Sequence, residues 1–179
     1  AGYILLDSLQ NQSEVSPEEI EKLIHCQKRP EAQVQLGNVL LERNIATSMI
    51  DVSDGLLQDM AHICEQSNVI ANINIDQIPL SKEIVRLGIN VAQAASGGED
   101  YGLLFTAEVE KRKSVESLCV EREASKDAWR LTRIGKIESA LHKGEKIWIS
   151  SQDKTPEPLK SFLSRFDCHA GFDHFRLSV

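Results

Sequence analysis

Glycine and proline are sparse, 10 and 5 among 179 residues, and aromatic residues make up only 5%. That excludes a fibrous or low-complexity chain. No apolar run approaches the roughly 20 residues needed to cross a bilayer as a helix, so no membrane partner is expected. Positive charge is short as well: 20 Lys and Arg face 27 Asp and Glu, a formal net charge of −7, with a pI near 5.3. The densest basic run, Lys111-Arg112-Lys113, sits beside Glu108 and Glu110 and reads as a solvated helix face. A chain that wraps nucleic acid carries a basic stripe, and none is visible. Any phosphate handled here is therefore expected to be held by metal ions or backbone amides.

Cysteine is equally uninformative as a scaffold. Cys26, Cys64, Cys119 and Cys168 lie far apart with no CxxC pair, which excludes a disulfide framework and a zinc knuckle and leaves reduced thiols in a cytoplasmic protein. The opening Ala-Gly-Tyr-Ile-Leu-Leu lacks the basic region and apolar length of a secretory signal. Position 1 is not methionine and Tyr3 to Leu9 is already helix-spaced, the expectation for a piece of a longer protein. What is present, 41% hydrophobic and 26% charged residues, suffices to bury one sizeable core.

Helix and strand patterns alternate along the chain. Ser16-Pro17-Glu18-Glu19 reads as a helix start with a capping box, and Ile20, Leu23 and Ile24 supply its buried stripe. Pro30 is expected to open a second helix with Val34, Leu36, Leu40 and Leu41 as apolar positions, ending near Asn44. Thr47 to Val52 is β-prone and stops at Ser53-Asp54-Gly55; behind it Leu56, Leu57, Met60, Ala61, Ile63 and Cys64 recur at helical spacing. Val69 to Ile75 alternates as a strand, Ser81 begins a short helix, Tyr101 to Thr106 is a strand and Val109 to Val120 a helix. Trp129 to Ile134 and Lys146 to Ser150 read as strands, Pro156 and Pro158 as a loop, and Leu159, Phe162 and Phe166 as a short helix. The expected fold is α/β, a layered domain with helices packed on a mixed sheet.

Two segments carry the chemistry. In Ile50-Asp51-Val52-Ser53-Asp54-Gly55-Leu56, two carboxylates and a hydroxyl meet where a strand gives way to a helix. Such a junction offers free helix-terminal amides that attract phosphate, and hard oxygen ligands that suit Mg²⁺. A helix cap by Ser53 or Asp54 would account for the same residues. The second segment, Ser96-Gly97-Gly98-Glu99-Asp100-Tyr101, precedes an apolar strand; paired glycines allow close backbone approach, and the acids can hold a cation or a polar ring. A plain glycine turn with two exposed acids is the alternative. Cys168, His169, His174 and Asp167 match no zinc spacing, and His62 reads as a packed or surface histidine. Sequences of the GxSxG, GxGxxG and Walker types do not occur.

Taken together, Ala46 to Leu56 followed by Asp59 and His62, then Gly98-Glu99-Asp100-Tyr101-Gly102-Leu103-Leu104-Phe105-Thr106 and the closing Gly171-Phe172-Asp173-His174-Phe175, resemble the thiamine-monophosphate kinase family over essentially the whole chain. The family carries an "IDxSDGL…DL.H" stretch and a "GEDYELLFT" stretch in this order. The resemblance implies that residues 1–179 form the C-terminal, substrate-binding domain, shared with aminoimidazole-ribonucleotide synthetase and selenophosphate synthetase, and that the family's N-terminal ATP- and magnesium-binding domain is absent. It implies ATP-dependent phosphorylation of thiamine monophosphate to thiamine diphosphate, with Mg²⁺ as cofactor, in a cytoplasmic homodimer. By motif it makes Asp51 and Asp54 magnesium ligands, Asp54 catalytic through that metal, Ser53 a contact to ATP, Glu99 a contact to the thiamine moiety and Phe172 an aromatic wall for its ring. These roles agree with the chemistry: phosphoryl transfer depends on positioning and charge neutralisation, and a cationic thiazolium favours anionic and aromatic surroundings.

Two positions depart from the family pattern: Gly102 stands where Glu is usual, and Ala32-Gln33 replace Pro-Arg after Pro30. A selenophosphate synthetase is a rival within the superfamily, disfavoured by the Gly-Glu-Asp-Tyr run. A non-catalytic ligand-binding or regulatory domain is the rival from another class.

Overall fold

A computed structural model describes residues 15–123, 129–140, 144–152 and 154–166. Among them run α1 (Pro17–Lys28), α2 (Val34–Glu42), β1 (Ala46–Asp51), α3 (Leu56–Ser67), β2 (Val69–Asn74), α4 (Lys82–Arg86), α5 (Val91–Ser96), β3 (Leu103–Ala107), α6 (Arg112–Glu123), β4 (Gly135–Ser139), β5 (Ile147–Ser151), β6 (Lys154–Pro158) and α7 (Leu159–Ser164). The expected α/β class holds, with the strands divided between two sheets. One is a mixed sheet in the order β4-β2-β5-β6; the other is the antiparallel pair β1-β3.

The mixed sheet and α3 form the centre of the molecule. Alternation along β2 and β5 puts Ala71, Ile73, Ile147 and Ile149 on one face, where they share a buried cluster with Leu57, Met60, Ile63 and Cys64 of α3 and Leu159, Phe162 and Leu163 of α7. Burying an aliphatic side chain of this size contributes roughly 1.5–3 kcal/mol, so this cluster fixes where α3 starts. The C-terminal end of α3 is set by Asn68, whose left-handed backbone (φ 51°, ψ 48°) turns the chain directly into β2. At the other end the helix can begin no earlier than Gly55, and the strand–turn–helix junction is pinned between sheet and core.

The capping box at Ser16 forms as expected: the Glu19 amide donates to Ser16 Oγ at 3.3 Å and the Ser16 amide to Glu19 Oε2 at 2.9 Å. Ile20 and Leu23 are partly buried against a small cluster of Ile84, Leu87 and Ile89, and Glu19 pairs with Arg86 of α4. Several boundaries differ from expectation. The helix after Pro30 starts only at Val34, and Val34 and Leu41 are exposed while Leu36 and Leu40 are buried. Helical geometry places 36 and 40 on one face and 34 and 41 off it. Trp129 to Ile134 is not a strand; the strand is Gly135–Ser139, while Trp129 and Leu131 cover the cluster of Leu36, Leu40, Ile45 and Leu118. Pro156 and Pro158 lie in a strand, not a loop, because among the described residues β6 pairs only with β5 and an edge strand tolerates the missing N–H. The segment after Ser81 is two short helices joined through Gly88 at φ +72°. The described cysteines Cys26, Cys64 and Cys119 are free thiols. Tyr3 to Leu9, Cys168, and the Phe172 and His174 tail lie outside the described residues.

Candidate functional site

The two motif segments meet at one end of the β1-β3 ladder. In register, Met49 faces Phe105, Ile50 faces Leu104 and Asp51 faces Leu103. Past the last ladder residues the pairing continues through the loops: the Val52 amide donates to Gly102 O, the Tyr101 amide to Val52 O and the Glu99 amide to Ser53 O, each at 2.8 Å. A side chain would not fit between them. A Cβ on Gly98 would stand 2.4 Å from Ser53 O, and one on Gly55 (φ +122°) would stand 2.8 Å from Ser96 O. Gly98 thus serves the close backbone approach that the sequence suggested, with Gly55 opposite it, and what is approached is the other loop of the same chain.

Holding the second loop in this path takes backbone conformations that L residues avoid. Glu99 has φ 68° and Tyr101 has φ 50°, each costing roughly 1–2 kcal/mol relative to the right-handed form. The three cross-loop hydrogen bonds over-determine them, and such strain gathers at functional sites. Its result here is that Tyr101 Oη donates to Glu99 Oε2 at 3.0 Å. That bond, then the charge of Glu99, pushes the phenol above its ordinary pKa; partial burial adds, and so do the charges of Asp51 and Asp54. Three carboxylates from two distant sequence segments therefore act on one hydroxyl.

Asp59 is the buried acid beneath the first loop, 2% exposed. Its Oδ2 accepts the amides of Ser53 at 3.0 Å, Asp54 at 3.1 Å and Gly55 at 3.1 Å. Burial pushes its carboxyl up and the Asp54 charge adds to this, while the three amides pull it down. Two expectations are corrected by this arrangement. The amides of Ser53, Asp54 and Gly55 are not free for phosphate, because a carboxylate of the helix itself occupies them. Neither Ser53 nor Asp54 caps the helix: the N-cap is Gly55, which has no side chain to do so, and Asp59 instead binds the amides of the cap and of the two residues before it.

Asp54 is half-buried. Its Oδ2 accepts from Gln58 Nε2 at 3.4 Å and lies 3.9 Å from His62 Nε2. Ligand atoms of Asp54, Asp59 and His62 fall within 4.8 Å of one another, a group able to hold a metal ion. Asp51, at the end of β1, is exposed. Sequence reasoning gave no role to Asp59, Tyr101 or His62. Asp59 had a legible signal: an acid three residues after Leu56 and four before Ile63 falls on the apolar stripe of α3. His62 is a surface histidine, as read, and helical spacing brings it over Asp54. Tyr101 is placed only by tertiary structure. The hard oxygen donors of Asp51 and Asp54, in a site whose carboxylate field raises a neighbouring phenol, fit a divalent cation such as Mg²⁺. Phe172 lies outside the described residues.

A family model described as "AIR synthase related protein, C-terminal domain" matches residues 5–142. The thiamine-monophosphate kinase of Salmonella typhimurium is 40% identical over 102 residues, 55% of this chain and 31% of that protein. The crystal structure of thiamine-monophosphate kinase from Stenotrophomonas maltophilia superposes with a TM-score of 0.69 at 30% identity, covering 83% of this chain and 45% of that one. A structure described as AaThiL complexed with AMPPCP and TMP superposes with a TM-score of 0.59 at 28% identity, covering 88% and 46%. The chain thus spans about a third to a half of the length of these relatives. No helix among the described residues is long and apolar enough to cross a membrane.

Proposed function

Because this chain belongs to the AIR synthase related family through that family's C-terminal domain, we propose that residues 1–179 are the substrate-facing domain of an ATP-dependent thiamine-monophosphate kinase. The observation that carries this reading is the hydrogen-bonded junction of the two loops, which gathers Asp51, Asp54 and Glu99 around Tyr101. Support comes from similarity to named thiamine-monophosphate kinases, and from a structural relative described with AMPPCP and TMP bound. The portion of those relatives that these residues do not match would supply the rest of the nucleotide site and, in the same reading, the homodimer contact.

Asp51 and Asp54 would hold Mg²⁺, which neutralises charge on the transferring phosphoryl group when bound. Ser53 contacts the nucleotide from the same turn. Glu99, with its carboxylate fixed by Tyr101, would face the cationic thiazolium, and the family motif gives Phe172 the role of an aromatic wall for its ring. Asp59 keeps the turn rigid. The compartment is the cytoplasm, consistent with an acidic chain whose described cysteines are free thiols.

The test is thiamine diphosphate formation from ATP and thiamine monophosphate by an enzyme carrying this domain. Asp54→Asn is expected to lower kcat at least about 100-fold, because it weakens the hold on the cation that would neutralise the transferring phosphoryl group, and to leave the melting temperature near the parent value. Normal turnover by that variant would refute the assignment. The 179-residue chain alone is expected to bind thiamine monophosphate weakly and to give no turnover, since fixing both substrates together supplies roughly 7–11 kcal/mol of the barrier.

A further inference from the structure

A helix N-terminus with glycine at its cap ordinarily presents its first amides to solvent or to an anion. At α3 the amide of the Gly55 cap and those of Ser53 and Asp54 just before it converge instead on a single oxygen, Oδ2 of Asp59, at 3.0 to 3.1 Å. That oxygen sits where a phosphate oxygen would have to sit to use the same donors. Asp59 is 2% exposed, so the cradle is closed from within by a group the solvent does not reach. Val52, Ser53 and Asp54 of the same turn carry the rest of the site. Ser53 O accepts the Glu99 amide, Val52 O accepts the Tyr101 amide, and the Asp54 side chain leaves the turn toward His62. Whatever fixes the turn therefore fixes Asp54 relative to Glu99.

We propose that Asp59 is a positioning residue: it fills the anion cradle formed by the 53–55 amides, sets the Asp54 carboxylate relative to Glu99, and closes those three amides to the phosphate of a substrate. The last clause rests on the function proposed above; the first two do not. An Asp59 oxygen lies within 4.8 Å of ligand atoms of Asp54 and His62, but its Oδ2 is taken by three amides. Carboxylates that orient metal-binding groups without touching the metal commonly govern affinity by about 10- to 100-fold, the class in which this proposal puts Asp59.

The experiment follows the Ser53, Asp54 and Gly55 backbone amides of the full chain by NMR, with inorganic phosphate and Mn²⁺ as separate probes. In the unaltered chain, phosphate without divalent ions is expected to leave the three amides unmoved. In Asp59→Ala the emptied cradle should admit phosphate, giving saturable shifts at those amides, and Mn²⁺ affinity should fall by about tenfold although Asp54 is intact. Asp59→Asn restores an oxygen acceptor in the same place. It should again exclude phosphate and recover Mn²⁺ affinity to within about threefold of the parent. A merely structural role would lower stability without opening a phosphate site. Phosphate-induced shifts of the three amides in the unaltered chain would overturn the proposal whether or not Asp59→Ala folds, as would a folded Asp59→Ala that still excludes phosphate. Asp54→Asn separates the two readings: if Mn²⁺ binding survives it, the functional assignment of Asp54 fails, and the phosphate result still judges Asp59.

Discussion

Replacing Gly98 by alanine tests the junction on which the site depends. The added methyl would lie 2.4 Å from Ser53 O and 3.2 Å from the carbonyl carbon and oxygen of Asp54. All three are backbone atoms, so no flexible side chain can swing away. Reaching ordinary van der Waals separation requires the loops to part by about 1 Å. That displacement takes the Glu99–Ser53 and Tyr101–Val52 bonds, both 2.8 Å, beyond hydrogen-bonding distance. Two backbone bonds contribute about 1 kcal/mol each, and residual overpacking adds about 1–2 kcal/mol. The expected destabilisation is therefore about 3–4 kcal/mol, a fall in melting temperature of roughly 6–16 °C for a chain of this size. Calorimetry or far-ultraviolet circular dichroism reads it directly. Gly102→Ala is the internal control: nothing lies within 4 Å of its Cβ position, and it should change stability by no more than about 0.5 kcal/mol. Equal melting of the Gly98 and Gly102 variants would show that the loops are not packed as described.

Tyr101→Phe removes the donor to Glu99 Oε2; it should leave the fold intact and weaken thiamine monophosphate binding by roughly fivefold, about 1 kcal/mol, in calorimetry. Unchanged affinity would mean that Tyr101 does not orient Glu99. Asp76 accepts the Gln152 amide at 2.9 Å and the Ser151 hydroxyl at 2.8 Å, which hold its carboxyl below the ordinary value, the amide more strongly. A depressed acid stabilises the fold above its unfolded pKa of about 3.9 and loses that contribution as pH falls through the folded value. Asp76→Asn should accordingly flatten the decline of melting temperature below about pH 4, and an unchanged acid limb would exclude the role. Ser16→Ala deletes one half of the α1 capping box and should cost about 1 kcal/mol, seen as faster amide exchange across the first turn of α1; exchange at the parent rate would show that the box does not hold the turn.

Local interactions made much of this protein legible in its sequence. The Ser16 capping box, the end of β1 at Ser53-Asp54-Gly55 and the periodicity of α3 depend on neighbours within one or two turns, and each appears where the residues put it. Family motifs carried the pairing of the two loops further than spacing could. Contacts made across the chain had to come from tertiary structure. Nothing near Trp129 says that it covers Leu36 and Leu118 rather than pairing in a sheet, because helix, strand and loop residues all bury apolar surface. Pro156 and Pro158 looked like a loop until β6 proved to be an edge, where a missing N–H faces no partner. The amides of the 53–55 turn looked open to phosphate because the place of Asp59 on the apolar stripe of α3 marks it as buried but names no partner until α3 is folded against the turn. Tyr101 belongs to the Gly-Glu-Asp-Tyr run, but the motif does not say what its hydroxyl meets. Its place among Asp51, Asp54 and Glu99 exists only because Gly98 lets one loop rest on the backbone of the other, a contact set by packing rather than by any local preference.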